Sequence, residues 1–193
     1  MSGVWVFVCG ASGAGKDSVM AWAQQRLAER PDIVFSRRLV TREAQPGADD
    51  TAVTLAQFDA LRQSGGLSWH WQAHELRYGI GAHYTVAVQE GRTVVVNGSR
   101  EHVQGLAPGA DIRAVQILAE PQQLANRLAQ RGRDDLQAVH SRLSRNARFD
   151  SLQTHHTIYN QGALAEAGQQ LLAYLTDGLN TTGSQTTAKH LNQ

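Results

Sequence analysis

Val4-Trp5-Val6-Phe7-Val8-Cys9-Gly10-Ala11-Ser12-Gly13-Ala14-Gly15-Lys16-Asp17-Ser18 is the stretch that decides the fold. Val4–Cys9 is a continuous apolar run, the signature of a buried strand. Gly10–Gly15 is rich in glycine and ends on Lys16. The run from Asp17 to Arg30 then repeats with helical spacing, placing Val19, Met20, Ala23 and Leu27 on one face. A strand, a glycine-rich loop closed by lysine, and a helix make up a phosphate-binding loop. Successive N–H groups of Gly10, Ala11, Ser12, Gly13, Ala14 and Gly15 can point inward at phosphate oxygens, and the helix adds the positive end of its dipole. Lys16 is the only lysine in the first 188 residues of a chain that carries 16 arginines. A compact ammonium kept at this one place predicts a point charge on the terminal phosphates of a nucleoside triphosphate.

The residue after the lysine departs from the pattern. Ser or Thr usually stands there and holds Mg²⁺, whereas this chain has Asp17 followed by Ser18. A carboxylate is a good hard-oxygen ligand, directly or through a water. It is also favoured at a helix N-terminus for electrostatic reasons alone. Both readings of Asp17 stand at this point.

Bulk properties narrow the classes. A length of 193 residues suits one domain with a sizeable core. A net charge of +1 gives no reason to expect a nucleic acid or a membrane as partner. The single cysteine, Cys9, lies in the apolar strand and excludes a disulfide framework within the chain. The apolar start lacks the basic lead-in of a secretion signal, and no stretch approaches the length of a membrane span. A cytoplasmic protein is expected.

Further strands and helices alternate along the chain. Pro31-Asp32 ends the first helix, and Ile33–Val40 reads as a second strand before a loop from Glu43 to Asp50. Thr54-Leu55-Ala56-Gln57 forms a capping box opening a helix that should bury Leu55, Phe58 and Leu61. Leu67–Ala73 alternates like a half-buried strand, while Thr93–Val96 and Ala114–Ala119 read as buried ones. Pro121 suits the first turn of a helix running to Arg131, and a second follows with Leu136, Val139 and Leu143. Thr157–Tyr159 is the last strand and Ala163–Leu179 the last helix. This predicts one α/β domain over 1–179, a parallel sheet flanked by helices. Strand signals clustering in 67–81 without a helix suggest a small appended subdomain. Residues 180–193 are polar without apolar periodicity and read as a disordered tail.

In this order, the loop Gly10–Lys16, Val40-Thr41-Arg42 with Pro46-Gly47, Tyr78-Gly79, Leu128, Arg131-Gly132, Arg142-Leu143 and Asn160 resemble the guanylate-kinase-like family of P-loop kinases, over roughly residues 3–178. The resemblance implies a P-loop NTPase fold with an acceptor-binding part at about 36–92 and an arginine-bearing lid at about 127–147. It implies ATP as donor, with Mg²⁺. It assigns Arg42 and Tyr78 to the acceptor, Arg131 and Arg142 to a lid that acts with Lys16 in catalysis, and Asn160 to the neighbourhood of the adenine. Guanidinium suits such roles because it offers paired donors and stays charged.

Departures from that family are as informative as the matches. Where guanylate kinases read guanine with two acidic side chains, this chain aligns Trp69 and the stretch Asn97-Gly98-Ser99. Loss of those acceptors removes on the order of 10⁴-fold in discrimination for guanine. The segments His70–His74, Arg77–Gly81 and Val94–Arg100 resemble instead the ribose 1,5-bisphosphate phosphokinase branch. Its sugar substrate carries two phosphates and no base, and that suits the surplus cations Arg38, Arg77 and Arg100, with Asn97 and Ser99 free to serve sugar hydroxyls. A nucleoside monophosphate kinase with an altered base pocket is the competing enzyme reading. A non-catalytic interaction module is the third, disfavoured because such modules commonly lose parts of the loop that is intact here. Oligomeric state is not legible.

Overall fold

The computed structural model describes residues 3–11, 13–44, 49–73, 75–107, 109, 111–119 and 152–179. Its centre is β1 (Val4–Gly10), which gives the chain two cores by simple alternation. Val6 and Val8 face one side, packing with Val19, Met20, Ala23 and Leu27 of the first helical segment, and with Leu171 and Leu175 near the C-terminal end. Trp5, Phe7 and Cys9 face the other side, with Trp71, Ile80, Val94 and Val96. Strands buried on both faces need apolar residues at every position, which is why β1 reads as an unbroken run.

Five strands form the main sheet, in the order β2-β7-β1-β8-β9, all parallel. They are β1, β2 (Ile33–Phe35), β7 (Thr93–Asn97), β8 (Ile112–Leu118) and β9 (His156–Tyr159). The helices α1 (Lys16–Arg26) and α5 (Leu164–Ala173) pack together on one face, and α5 continues into a π-helical turn at Tyr174–Gly178. The parallel sheet with flanking helices is the architecture expected from the sequence.

A second sheet of four strands, β4-β3-β6-β5, carries the rest. It comprises β3 (Arg38–Val40), β4 (Asp50–Ala52), β5 (Leu67–Ala73) and β6 (Leu76–Gly81). Here β3 and β4 are parallel, whereas β3–β6 and β5–β6 are antiparallel. The capping box is formed: Gln57 N donates to Thr54 Oγ1 at 3.1 Å and Thr54 N to Gln57 Oε1 at 2.9 Å. It opens α2 (Leu55–Gln63), which buries Phe58. Leu55, expected inside, is the first residue of the helix and is 56% exposed.

The segment Ile33–Val40 is not one strand. Its first part pairs with β7 as far as Phe35–Val95; Ser36 N and Oγ then both donate to Val95 O, at 2.8 and 3.0 Å. Arg37 N donates to Tyr84 Oη at 2.9 Å, and the chain crosses to the second sheet. Two short helices also escaped the sequence reading: α3 (His83–Gln89) has no side-chain cap, and α4 (Arg100–Gln104) spans barely more than one turn. The proposed lid at 127–147, its flanking helices and the tail 180–193 lie outside the described residues.

Candidate active site

Gly13 and Gly15 adopt φ of +87° and +82°, left-handed values that curl the loop between β1 and α1. Gly10 is required for a different reason: a Cβ there would stand 2.5 Å from the Ile117 carbonyl oxygen of the neighbouring strand. Asn160, just past β9 and only 3% exposed, donates through Nδ2 to Ala14 O at 2.7 Å. The resemblance implied a place near the adenine; the structure shows this side chain fastening the phosphate loop itself. Lys16 begins α1 with its side chain 17% exposed. Burial pulls its pKa below the ordinary lysine value, partly offset by Asp17, whose Oδ1 lies 3.3 Å from Nζ. An anion brought to this ammonium would stabilise its charge. Ser18 is exposed in the first turn of α1, and Ser12 lies outside the described residues.

Asp17 and Asn97 meet across the cleft between the loop and the end of β7. Asn97 Nδ2 donates to Asp17 Oδ1 at 2.7 Å, an orientation fixed by chemistry because a carboxylate can only accept. Asn97 Oδ1 is buried with no partner among the described residues. Burial works to raise the Asp17 pKa, but Lys16, the Asn97 hydrogen bond and Arg38 together hold it below the usual carboxylate value. Its side chain is 75% exposed, so water screens these contacts and their worth to stability is small. Arg38 Nη1 donates to Asn97 O at 3.2 Å, and its guanidinium lies 5.4 Å from the centre of the Tyr78 ring. Lys16, Asp17, Asn97, Arg38 and Tyr78 therefore form one cluster, drawn from the start of α1 and from both sheets.

The remaining candidates divide. Arg42 pairs with Asp50 at 2.5 Å, in a contact where the carboxylate side chain is only 7% exposed. Arg77 pairs with Asp59 of α2 at 2.5 Å. As consecutive residues of β6, Arg77 and Tyr78 point to opposite faces of the second sheet, so Arg77 stands apart from the cluster. Ser99 caps α4, its Oγ accepting from His102 N at 3.0 Å. Arg100 is buried at the start of α4, near enough to Cys9 to temper the burial that pushes that thiol up to about 12. Arg131 and Arg142 lie outside the described residues. Trp69, aligned with a base-reading acid, instead packs edge-on against Trp5 and Phe7, with ring centroids 5.7 and 5.2 Å away.

His102 was not singled out by the sequence. It stacks on Trp71 at 4.6 Å and meets Phe7 edge-on, and burial lowers its pKa from 6.5 to about 4. Between those two values the unfolded chain binds the proton that the folded chain refuses. Full stability is thus present above about pH 6.5 and is lost as the pH falls toward 4, by roughly 3 kcal/mol at most from this group. Thermal melting of the His102→Gln variant across that window should show a shallower acid decline than wild type; equal slopes would remove His102 as the cause.

No family model matches the chain. A curated relative, the ribose 1,5-bisphosphate phosphokinase PhnN of Pseudofrankia inefficax, is 42% identical over 178 residues, covering 91% of this chain and 92% of that one. The chain belongs to the ribose 1,5-bisphosphate phosphokinase family. The Rhizobium etli phosphokinase of the same name is 38% identical, with 92% and 91% covered. Among solved structures, guanylate kinase from Anaplasma phagocytophilum superposes with a TM-score of 0.65 over 96% of this chain and 88% of that one, at 17% identity. That likeness speaks for the fold alone. A member of the ribose 1,5-bisphosphate phosphokinase family is a phosphotransferase, and the guanylate-kinase-like fold places the Lys16 loop at its centre.

Proposed function

We propose that this chain uses ATP to phosphorylate the 1-phosphate of ribose 1,5-bisphosphate, giving 5-phosphoribosyl 1-diphosphate and ADP in the cytoplasm, in phosphonate degradation. The observation that carries the reading is the 42% identity to a phosphokinase of that name along nearly the whole chain. The site is consistent with it. Neutral Asn97, Ser99 and Trp69 stand where the resemblance expects base-reading acids, and Arg38, Arg42 and Tyr78 would receive the acceptor phosphates. A screen of ribose 1,5-bisphosphate, GMP and AMP as acceptors tests this: the sugar bisphosphate should be used best, and a preference for GMP would replace the reading with a nucleoside monophosphate kinase.

The reaction asks little of acid–base chemistry. A phosphate monoester has a second pKa of roughly 6, so the attacking oxygen is ionised at neutral pH without a general base. The barrier lies in bringing two polyanions into line, which positioning and charge neutralisation can lower. Lys16 would hold the donor phosphates, the loop N–H groups would fix their direction, and Arg38 with Arg42 would hold the acceptor. Closure of the segment bearing Arg131 and Arg142 would exclude water and suppress hydrolysis.

Among the described residues no group of three or more His, Cys, Asp or Glu could hold a metal by itself. The donors present suit Mg²⁺ held mainly by nucleotide phosphates and water: the Asp17 carboxylate, and Asn97 Oδ1, buried with no partner among the described residues. Such an ion would supply charge neutralisation to the donor phosphates during transfer. Asp17→Asn should raise the Mg²⁺ concentration for half-maximal rate by roughly 10-fold, with Asn97→Asp partly restoring it. An unmoved titration in a folded, active variant would leave Asp17 as a helix-end charge only.

A further inference from the structure

Trp71 is 8% exposed and lies in the middle of a stack of rings. Its indole is nearly parallel to Tyr78 of β6 (centroids 5.6 Å apart, 9° between planes) and to His102 of α4 (4.6 Å, 20°). The stack therefore bridges the second sheet to the end of the main one. Tyr78 carries Arg38 over its ring, and Arg38 in turn reaches Asn97, so the stack begins where the polar cluster around Lys16 ends. Trp69 closes another side, edge-on to Phe7 and 6.0 Å from His102.

A flat bicyclic ring held between two aromatic side chains is how proteins grip a nucleobase, because every base presents a π-face for stacking. Here the ring in the middle belongs to the chain itself. We propose that Trp71 fills the slot in which the base of a nucleotide acceptor would stack, and so restricts this enzyme to base-free sugar phosphates. The inference rests on the reading of Tyr78 and Arg38 as the acceptor side. It adds a positive cause of selectivity to the missing base-reading acids: a purine can enter only by displacing a buried indole. The burial that keeps His102 neutral at working pH supports the same role, since an uncharged imidazole completes the apolar slot without adding a cation beside the acceptor phosphates.

The test uses the full chain with Trp71→Ala, which empties the slot, and Trp71→Leu, which keeps apolar bulk for folding but removes the ring plane. Folding is checked by circular dichroism, and kcat/KM is measured for ribose 1,5-bisphosphate, GMP and AMP. In the variants the ratio of nucleotide to sugar activity should rise by about tenfold or more. GMP should also raise the melting temperature of the variants while leaving wild type unmoved. A folded variant with an unchanged ratio and no GMP-dependent melting shift would overturn the proposal and leave Trp71 a core residue. Should wild type fail to phosphorylate ribose 1,5-bisphosphate, the acceptor reading falls separately, and the GMP melting shift still decides the slot.

Discussion

Lys16→Ala is expected to lower kcat by on the order of 10²–10³-fold, the usual cost of removing one preorganised charge from a transition state. The fold should survive. Lys16 is the first residue of α1, where alanine is a good helix former, and its ammonium is held in place at the expense of burial, which depresses its pKa. Removing it relieves that burial while leaving the core residues Val19, Met20 and Ala23 untouched. Melting temperature and kcat measured on the same sample separate the two effects. Near-wild-type turnover in a folded Lys16→Ala protein would dissolve the assignment of the loop.

Arg38→Ala is the second large effect, and it should fall on the acceptor. Arg38 touches Asn97 O and the Tyr78 ring, and its charge is felt at Lys16 and Asp17, so it stands between the donor and acceptor ends of the cluster. A hydrogen bond to a charged group is worth about 1.5–3 kcal/mol, so kcat/KM for the sugar bisphosphate should drop by roughly 10–10²-fold. ATP affinity, measured directly, should change little. Arg38→Lys should recover only part of the loss, because an ammonium cannot reproduce the fork of donors. A loss of ATP affinity equal to the loss in kcat/KM would move Arg38 to the donor side.

The phosphate loop was legible because its chemistry is local. Six apolar residues, three glycines and a lysine within one stretch specify strand, turn and helix start without help from the rest of the chain. The capping box at Thr54 was legible for the same reason. Long-range contacts were not. Nothing in Asn160 announces that its amide will hold Ala14 O, 146 residues away in the chain. The pairing of Asn97 with Asp17 was foreshadowed by their unusual identities, yet the 2.7 Å contact needed β7 to lie beside β1. The break at Ser36 escaped notice because apolar residues at both ends of Ile33–Val40 outweighed the polar Ser36-Arg37 between them; the partners available to each half divide it. His102 and Trp71 were silent singly, although Trp69 and Trp71 at alternate positions of β5 already share one face. The pairing of Arg77 with Asp59 was equally hidden, because adjacent residues of a strand face opposite ways and Arg77 does not share the face of Tyr78.

The most direct test of the acceptor follows the reaction by phosphorus NMR, with ATP, Mg²⁺ and ribose 1,5-bisphosphate mixed with the full chain. The 1-phosphate resonance should disappear as a pair of mutually coupled diphosphate resonances grows in, with ADP formed in equal amount, and GMP in a parallel sample should remain unconverted. A new phosphate monoester on a sugar hydroxyl, or faster conversion of GMP than of the sugar bisphosphate, would contradict phosphoryl transfer to the 1-phosphate.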